Sequence, residues 1–344
     1  MKQISAIDLF CGAGGLTHGL LKSGVNVVAG FDIQESCRYA YEKNNRGARF
    51  FNKDVKAITG EELNELFPEE DIKLLAGCAP CQPFSTYSQG RDVKNDKKWP
   101  LLYSFSRLIN EVLPHLVTME NVPDVTRHEV YHDFVRQLEA SGYKVWAQKI
   151  YCPDYGIPQS RSRHVLLASR IGEVQMIPPN RARKRYRTVR EAIGKLPPLE
   201  AGEQCEKDRL HISAGVSPLN LQRLIHSKPG GTWHDWPDTL RAKCHRKQSG
   251  KGYVSVYARM KWDDVSPTIT TQSYGFGNGR FGHPEQNRAI SLREAALLQT
   301  FPKSYQFVPP EQKVQLAPIG MMIGNAVPVT LGKVIARSFQ KHLV

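Results

Sequence analysis

A doubly wound, mostly parallel α/β sheet with a second, smaller irregular domain is the fold class this 344-residue sequence predicts. Three observations predict it. Over its first half, short apolar runs alternate with stretches of helical spacing. A glycine-rich turn follows the first run directly and an aspartate closes the second, where such sheets bind ligands beyond the carboxyl ends of their strands. From about Gly172 to Gln286 the rhythm stops, and the chain becomes rich in Arg, Lys, Gly and Pro with aromatic residues interleaved.

The run Ile4 to Phe10 reads as a buried strand, Cys11 to Gly15 as the turn after it, and Leu16 to Ser23 as a helix. Val25 to Phe31 is a second strand ending in Asp32, and Gln34 to Asn45 a second helix. Further strands fall near Ile72–Gly77, Leu116–Glu120, Lys144–Ile150 and Arg163–Ser169, with helices over Leu101–Leu113 and His128–Ser141 between them. Val329 to His342 reads as a closing amphipathic helix. The divisions expected are a catalytic and cofactor-binding domain over 1–171, a second domain over 172–286, and a segment over 287–344 that returns to the first.

Seven scattered cysteines, with neither a signal peptide nor a long apolar segment seen, predict a soluble cytoplasmic protein apart from membranes. The formal charge is +14, from 47 Lys and Arg against 33 Asp and Glu. Most of that excess lies between Pro178 and Arg288, which hold 20 basic against 10 acidic residues. Such a concentration suggests a polyanionic partner, most simply nucleic acid, although a well-solvated surface is an equal reading of charge alone.

The most informative run is Gly77-Cys78-Ala79-Pro80-Cys81-Gln82-Pro83-Phe84-Ser85, just past a strand. A cysteine on such a loop is placed like a nucleophile at the edge of an α/β sheet. The Cys78-x-x-Cys81 spacing also invites a redox pair or a zinc site. Pro83 and the chain length argue against the first, and the absence of a second close Cys or His pair against the second. Cys81 therefore acts alone, with Cys78 a small buried neighbour. At the other strand ends, Gly12, Gly14 and Gly15 let backbone approach a ligand, and Asp32 is placed for ribose hydroxyls. The spacing departs from the dinucleotide G-x-G-x-x-G fingerprint, which favours a cofactor without a pyrophosphate.

Asp8-Leu9-Phe10-Cys11-Gly12-Ala13-Gly14-Gly15, Pro80-Cys81-Gln82, Glu120-Asn121-Val122 and Gln159-Ser160-Arg161-Ser162-Arg163 occur in this order. Arg293-Glu294-Ala295-Ala296, Leu298 to Pro302 and Gly324-Asn325-Ala326-Val327-Pro328 follow near the C-terminus. The ordered set resembles the DNA (cytosine-5)-methyltransferase family of bacterial or phage type, over nearly the whole chain. Cys78 and Ala79 stand where that family commonly has Gly and Pro.

The resemblance implies an S-adenosylmethionine-dependent, Rossmann-like fold and a set of roles. Cys81, as thiolate, would add to cytosine C6 and make C5 nucleophilic. Glu120 would donate to N3 and hold the exocyclic amine, while Arg163 would bind O2 and pair with Glu120; Arg161 stands in the same catalytic set. The base that removes the C5 proton is not visible, and a water would serve. S-adenosyl-L-methionine, leaving as S-adenosyl-L-homocysteine, would be held by Phe10, Gly12, Gly14, Asp32, Ile33, Asp54, Val55, Pro80, Leu101, Asn325, Ala326 and Val327, with no metal.

The 172–286 region corresponds to that family's target-recognition domain, and the partner implied is double-stranded DNA with its target base flipped out. Candidate DNA contacts are Gln82, Ser85, Arg241, Lys243, Arg246, Lys247, Asn278 and Arg280, with Lys251 beside them. The Tyr274–Arg280 run reads as a recognition loop or equally as a turn cluster. A monomer associated with the nucleoid is expected, with a cognate restriction endonuclease acting on the same site without direct contact. Two other readings stay open: a transfer-RNA cytosine-5 methyltransferase, which would lack a large recognition segment, and a catalytically silent DNA-binding module.

Overall fold

A computed structural model describes residues 2–80, 99–250, 252 and 254–344. The chain forms two compact units. The first gathers Met1–Tyr155, Ser162–Asn180 and Ala326–Val344; the second gathers Gly156–Arg161 and Arg181–Asn325.

In the first unit the elements are β1 (Ile4–Leu9), α1 (Gly15–Leu21), β2 (Asn26–Asp32), α2 (Arg38–Asn44), β3 (Arg49–Asn52), α3 (Gly60–Leu66), β4 (Ile72–Gly77), α4 (Trp99–Val112), β5 (Leu116–Asn121), α5 (Glu129–Ala140) and β6 (Lys144–Tyr151). After β7 (Gln159–Ser160), which belongs to the second unit, β8 (Ser162–Ser169) returns to the first. Seven strands form one sheet in the order β3-β2-β1-β4-β5-β8-β6. Pairing is parallel from β3 to β5, and β8 runs antiparallel to both its neighbours. Every residue of β1 and β5 is buried, which is why both read as continuous apolar runs rather than alternating ones. One core cluster joins Ile7, Leu9 and Leu75 of the sheet to Phe105, Leu108 and Phe134 of α4 and α5.

Two elements here escaped the sequence reading. β3 is four residues long and half exposed, too short for a period to register. α3 begins with a capping box in which Thr59 and Glu62 satisfy each other's backbone amides. The expected second helix is instead a 3₁₀ turn over Glu35–Cys37 running into α2.

In the second unit, α6 (Val189–Ile193), β9 (Gln204–Cys205), β10 (Asp208–Ile212), α7 (Pro218–His226), α8 (Lys243–Arg246), β11 (Ser266–Pro267), α9 (Leu292–Leu298) and α10 (Leu316–Asn325) are mostly short. A small cluster of Leu224, Trp233, Trp236, Phe276 and Ala289 is its apolar centre. Polar side chains supply much of the rest. Arg259 donates to the carbonyls of Leu224, His283 and Gln286, and Arg288 forms a fully buried bidentate pair with Glu294.

α11 (Val329–His342) completes the first unit and packs on α1. The approach is close. A Cβ on Gly19 would stand 2.4 Å from the Val329 carbonyl oxygen, and one on Gly332 would stand 2.8 Å from that of Leu16. The divisions expected at 171 and 286 thus fall at 180 and 325 as compact units. The Ile177 amide donates to Ser338 and the Asn180 amide to Asp154, which keeps 172–180 in the first unit. Arg293 pairs with Asp208 and Gln159 bonds Gln299, which keeps 287–325 in the second.

One stretch, Leu316–His342, is long and apolar enough to cross a membrane, contrary to the sequence reading. Of its most apolar window 72 % is buried inside the protein, as in the core helices of many soluble proteins.

Candidate active site

The turn after β1 is built by backbone geometry that few side chains tolerate. Phe10, Gly12 and Gly14 have φ of 61°, 51° and 85°, the left-handed region that favours glycine. Asp32 holds the turn from the next strand: one carboxylate oxygen accepts the Gly12 amide and the other the Gln34 amide, both at 2.8 Å. Burial raises its pKa, and the two amides oppose that rise. Beneath the turn, buried Asp8 accepts the Thr17 hydroxyl at 2.7 Å through one oxygen. Its other oxygen has no hydrogen-bond partner among the described residues, and burial pushes its pKa up to about 7.

The space over this turn is open. A Cβ added to Gly12 would meet nothing within 4 Å, so the turn faces open room. Ile33 lies beside Asp32 with 69 % of its surface exposed, an apolar face suited to an adenine ring. Asp54 caps the next turn by accepting the Lys56 amide at 3.0 Å, and Val55 behind it is buried. Each Asp32 oxygen accepts one amide and keeps a lone pair for a hydroxyl. Leu101 and Pro80 are half-buried, Ala326 is half-buried and Val327 buried; Asn325 is exposed on the second unit.

At the end of β5, Glu120 meets Arg163 of β8. Arg163 Nε lies 2.8 Å from Glu120 Oε1, with both side chains almost wholly buried. The pair is a close ionic contact without an aligned hydrogen bond at that oxygen. Asn121, which the sequence reading matched but gave no role, donates to the Ala79 carbonyl at 3.2 Å, and the Cys78 amide donates to Leu9. These bonds tie the start of the 78–80 segment to the ends of β1 and β5. Burial and the nearby Glu120 charge push the Cys78 thiol well above the usual range, so it stays protonated. Cys81, Gln82 and Ser85 lie outside the described residues.

Arg161 takes a different place from Arg163. It belongs to the second unit, is buried, and donates to Gln159 Oε1 and the Ile269 carbonyl. Gln159 in turn accepts from the Ile269 amide and donates to Gln299, joining β7 to the residue after α9. Thus Arg163, not Arg161, is the arginine in contact with Glu120.

The basic candidates of the second unit divide by engagement. Arg241 pairs with Asp238 at 2.8 Å and lies over the Trp233 ring, and Arg246 donates to the Asp238 carbonyl. Lys243 and Lys247 are exposed, with no ion pair among the described residues. Asn278 donates to Gln272 and half-buried Arg280 to Gly231. Lys251 lies outside the described residues. Among the described residues no group of three or more His, Cys, Asp or Glu side chains could hold a metal ion.

Residues 4–341 match the family model of C-5 cytosine-specific DNA methylases. The chain belongs to that family. It is 54 % identical over 342 residues to the Type II methylase M.HgiDII of Herpetosiphon aurantiacus, covering 98 % of this chain and 96 % of that one. It is 30 % identical over 343 residues to the Type II methyltransferase M1.HphI of Haemophilus parahaemolyticus, covering 98 % and 87 %. In structure it is similar to a prophage-encoded protein of Escherichia coli (TM-score 0.75, 20 % identity, 99 % of each chain), a likeness of fold alone. The methylase is a DNA (cytosine-5)-methyltransferase of an S-adenosylmethionine-dependent family whose chemistry passes through a covalent enzyme–cytosine adduct. Its enzymatic identity sets aside the reading as a silent binding module.

Proposed function

We propose that Cys81, Glu120 and Arg163 carry the methylase's chemistry on a cytosine flipped out of duplex DNA. The observation that carries this reading is the buried Glu120–Arg163 contact at the end of β5, in line with the strand that leads into the Cys81 loop. Out of the stack, cytosine exposes C6 to the thiolate. As sulfur adds, electron density moves toward N3 and O2; Glu120, which takes up a proton before turnover, supplies it at N3, and Arg163 holds a fixed positive charge at O2. C5, now nucleophilic, takes the methyl group. Removal of its proton by a base or water then restores the double bond and expels the Cys81 thiolate, while the N3 proton returns to Glu120.

S-adenosylmethionine supplies the electrophilic methyl. The residues that would hold it are Phe10, Gly12, Gly14, Asp32, Ile33, Asp54, Val55, Pro80 and Leu101, with Asn325, Ala326 and Val327. The second unit, with Lys243 and Lys247 exposed, would read a specific duplex sequence. Kinship to Type II methylases supports a cytoplasmic enzyme with a cognate restriction endonuclease that cuts the same unmodified site.

Duplex containing 5-fluorocytosine tests the assignment, because fluorine cannot leave as a proton does. Wild type and Cys78→Ser should form a denaturation-resistant adduct, and Cys81→Ser should form none. An adduct that depends on Cys78 would overturn the assignment.

A further inference from the structure

The longer stretch of the second unit, Arg181–Asn325, opens with Arg181-Ala182-Arg183-Lys184-Arg185-Tyr186-Arg187, five cations in seven residues, none of them among the candidate DNA contacts named above. Residues 181–185 are exposed and Arg187 partly so; Arg183–Arg185 form a 3₁₀ turn with nothing buried. None of the five makes an ion pair or side-chain hydrogen bond among the described residues. The contrast within the unit is sharp. Every other arginine there donates to the protein, as Arg190 does to Asp263, Arg259 to three carbonyls and Arg293 to Asp208. The nearest carboxylate along the chain, Glu191, is already taken by the Thr188 amide.

Like charges crowded this closely repel, and no ion pair among the described residues offsets them. A polyanion would. Four of the five are arginines, whose planar forks match phosphate oxygens. The enzyme's own substrate is a continuous phosphate polyanion, present at every turnover. Apart from half-buried Tyr186, the run also lacks the apolar anchors that centre a protein–protein interface. We propose that Arg181, Arg183, Lys184, Arg185 and Arg187 form a docking site for the DNA backbone that ignores sequence and is distinct from the base-reading residues. At three residues per turn the central side chains fan out around the turn, so about half of the five would meet phosphates at once. The proposal rests on the methylase acting on DNA and not on any recognition residue named above.

The test uses the full-length enzyme with all five residues changed to Gln, beside a variant with the four arginines changed to Lys. Binding is measured against salt on poly(dA)·poly(dT), which contains no cytosine, and kinetics on a plasmid the enzyme methylates. For the Gln variant the slope of log affinity against log salt should fall by about 0.9 per lost phosphate contact, so by roughly 2 in all. KM for plasmid should rise about tenfold with kcat and the methylated sequence unchanged, and the Lys variant should keep the wild-type slope. In wild type, poly(dA)·poly(dT) should protect Arg183 and Arg185 from an arginine-directed dicarbonyl reagent, a readout that needs no variant. An unchanged salt slope, or arginines that stay equally reactive, would overturn the proposal. A shift in the methylated sequence would do so too, by making these residues base readers.

Discussion

Asp32 Oδ2 accepts the Gly12 amide at 2.8 Å, so the carboxylate proposed to bind the cofactor also builds the turn beneath it. Two functions of this residue are therefore linked, and replacing it should disturb both. Asp32→Ala should lose most cofactor affinity and also cost about 1–3 kcal/mol of stability, because the Gly12 and Gln34 amides lose their acceptor. Asp32→Asn, which keeps one acceptor oxygen, should lose less of each. Cofactor titration and denaturant melts on the same samples check this; a variant that loses affinity at full stability would separate the two functions.

Asp8 predicts a pH dependence. Its folded pKa is raised to about 7 from 3.8, chiefly by burial, so between those values the folded state binds more protons than the unfolded one. Stability contributed by this group is then fully present below about pH 4 and is lost as pH rises toward 7, at up to about 1.4 kcal/mol per pH unit. Asp8→Asn should remove that slope, gaining on wild type by a few kcal/mol between pH 4 and 7 in denaturant titrations. Parallel curves for the two proteins would refute it.

Glu120 and Arg163 form a pair in which either partner alone is an uncompensated buried charge. Arg163→Ala should destabilise the fold by about 3–5 kcal/mol, and Glu120→Gln by less, since the amide keeps an acceptor for Arg163. Both should lower kcat by at least about 10²-fold. A double-mutant cycle on stability should show coupling; additive losses would mean that the contact carries no energy of its own.

Gly19 packs against backbone that cannot swing aside, the Val329 carbonyl and the Cα of Gly332. Gly19→Ala should cost about 1–3 kcal/mol by overpacking and should weaken cofactor binding as well, because α1 starts at the turn proposed to cradle the cofactor. Gly47→Ala is the comparison: a Cβ there meets nothing within 4 Å, leaving only its left-handed φ of 95° as strain. Melting temperatures and cofactor affinity measured for both report the difference. Equal losses of cofactor affinity would contradict the packing argument.

In the second unit, Lys243→Ala and Lys247→Ala should each lower the salt slope of DNA binding by about 0.9 and leave the melting temperature unchanged. Arg241→Ala should instead destabilise its surroundings, since Arg241 is already committed to Asp238 and the Trp233 ring. An Arg241 variant with wild-type stability and reduced salt slope would place that side chain on phosphate after all.

What the sequence made legible follows from where its information lies. The strands from Ile4 and Leu116 are buried along their whole length and announce themselves as apolar runs. Asp32 and Glu120 could be found because strand ends are where such sheets work. β3 has too few residues for any period, and the start of α3 was signalled by Thr59 and Glu62 but went unread. The second unit was opaque for a physical reason: partners such as Arg259 with Leu224 and His211 with Ser291 lie far apart in sequence and leave no periodic trace. Arg163 was matched to Glu120 in the sequence, as found, whereas the same limit put Arg161 in the catalytic set although it braces Gln159 and Ile269.

The packing of α11 on α1 has a consequence for how the enzyme is born. Helix α1 leaves the ribosome well before its partner α11, which packs on it at Leu16 and Gly19 from more than 300 residues further along the chain. At about 5–20 residues per second, that helix waits on the order of tens of seconds for its cover. Until then the apolar side of α1 that α11 covers stays exposed to chaperones. Nascent chains and prematurely terminated fragments should therefore be inert, and methylation should begin only once the last helix has been synthesised.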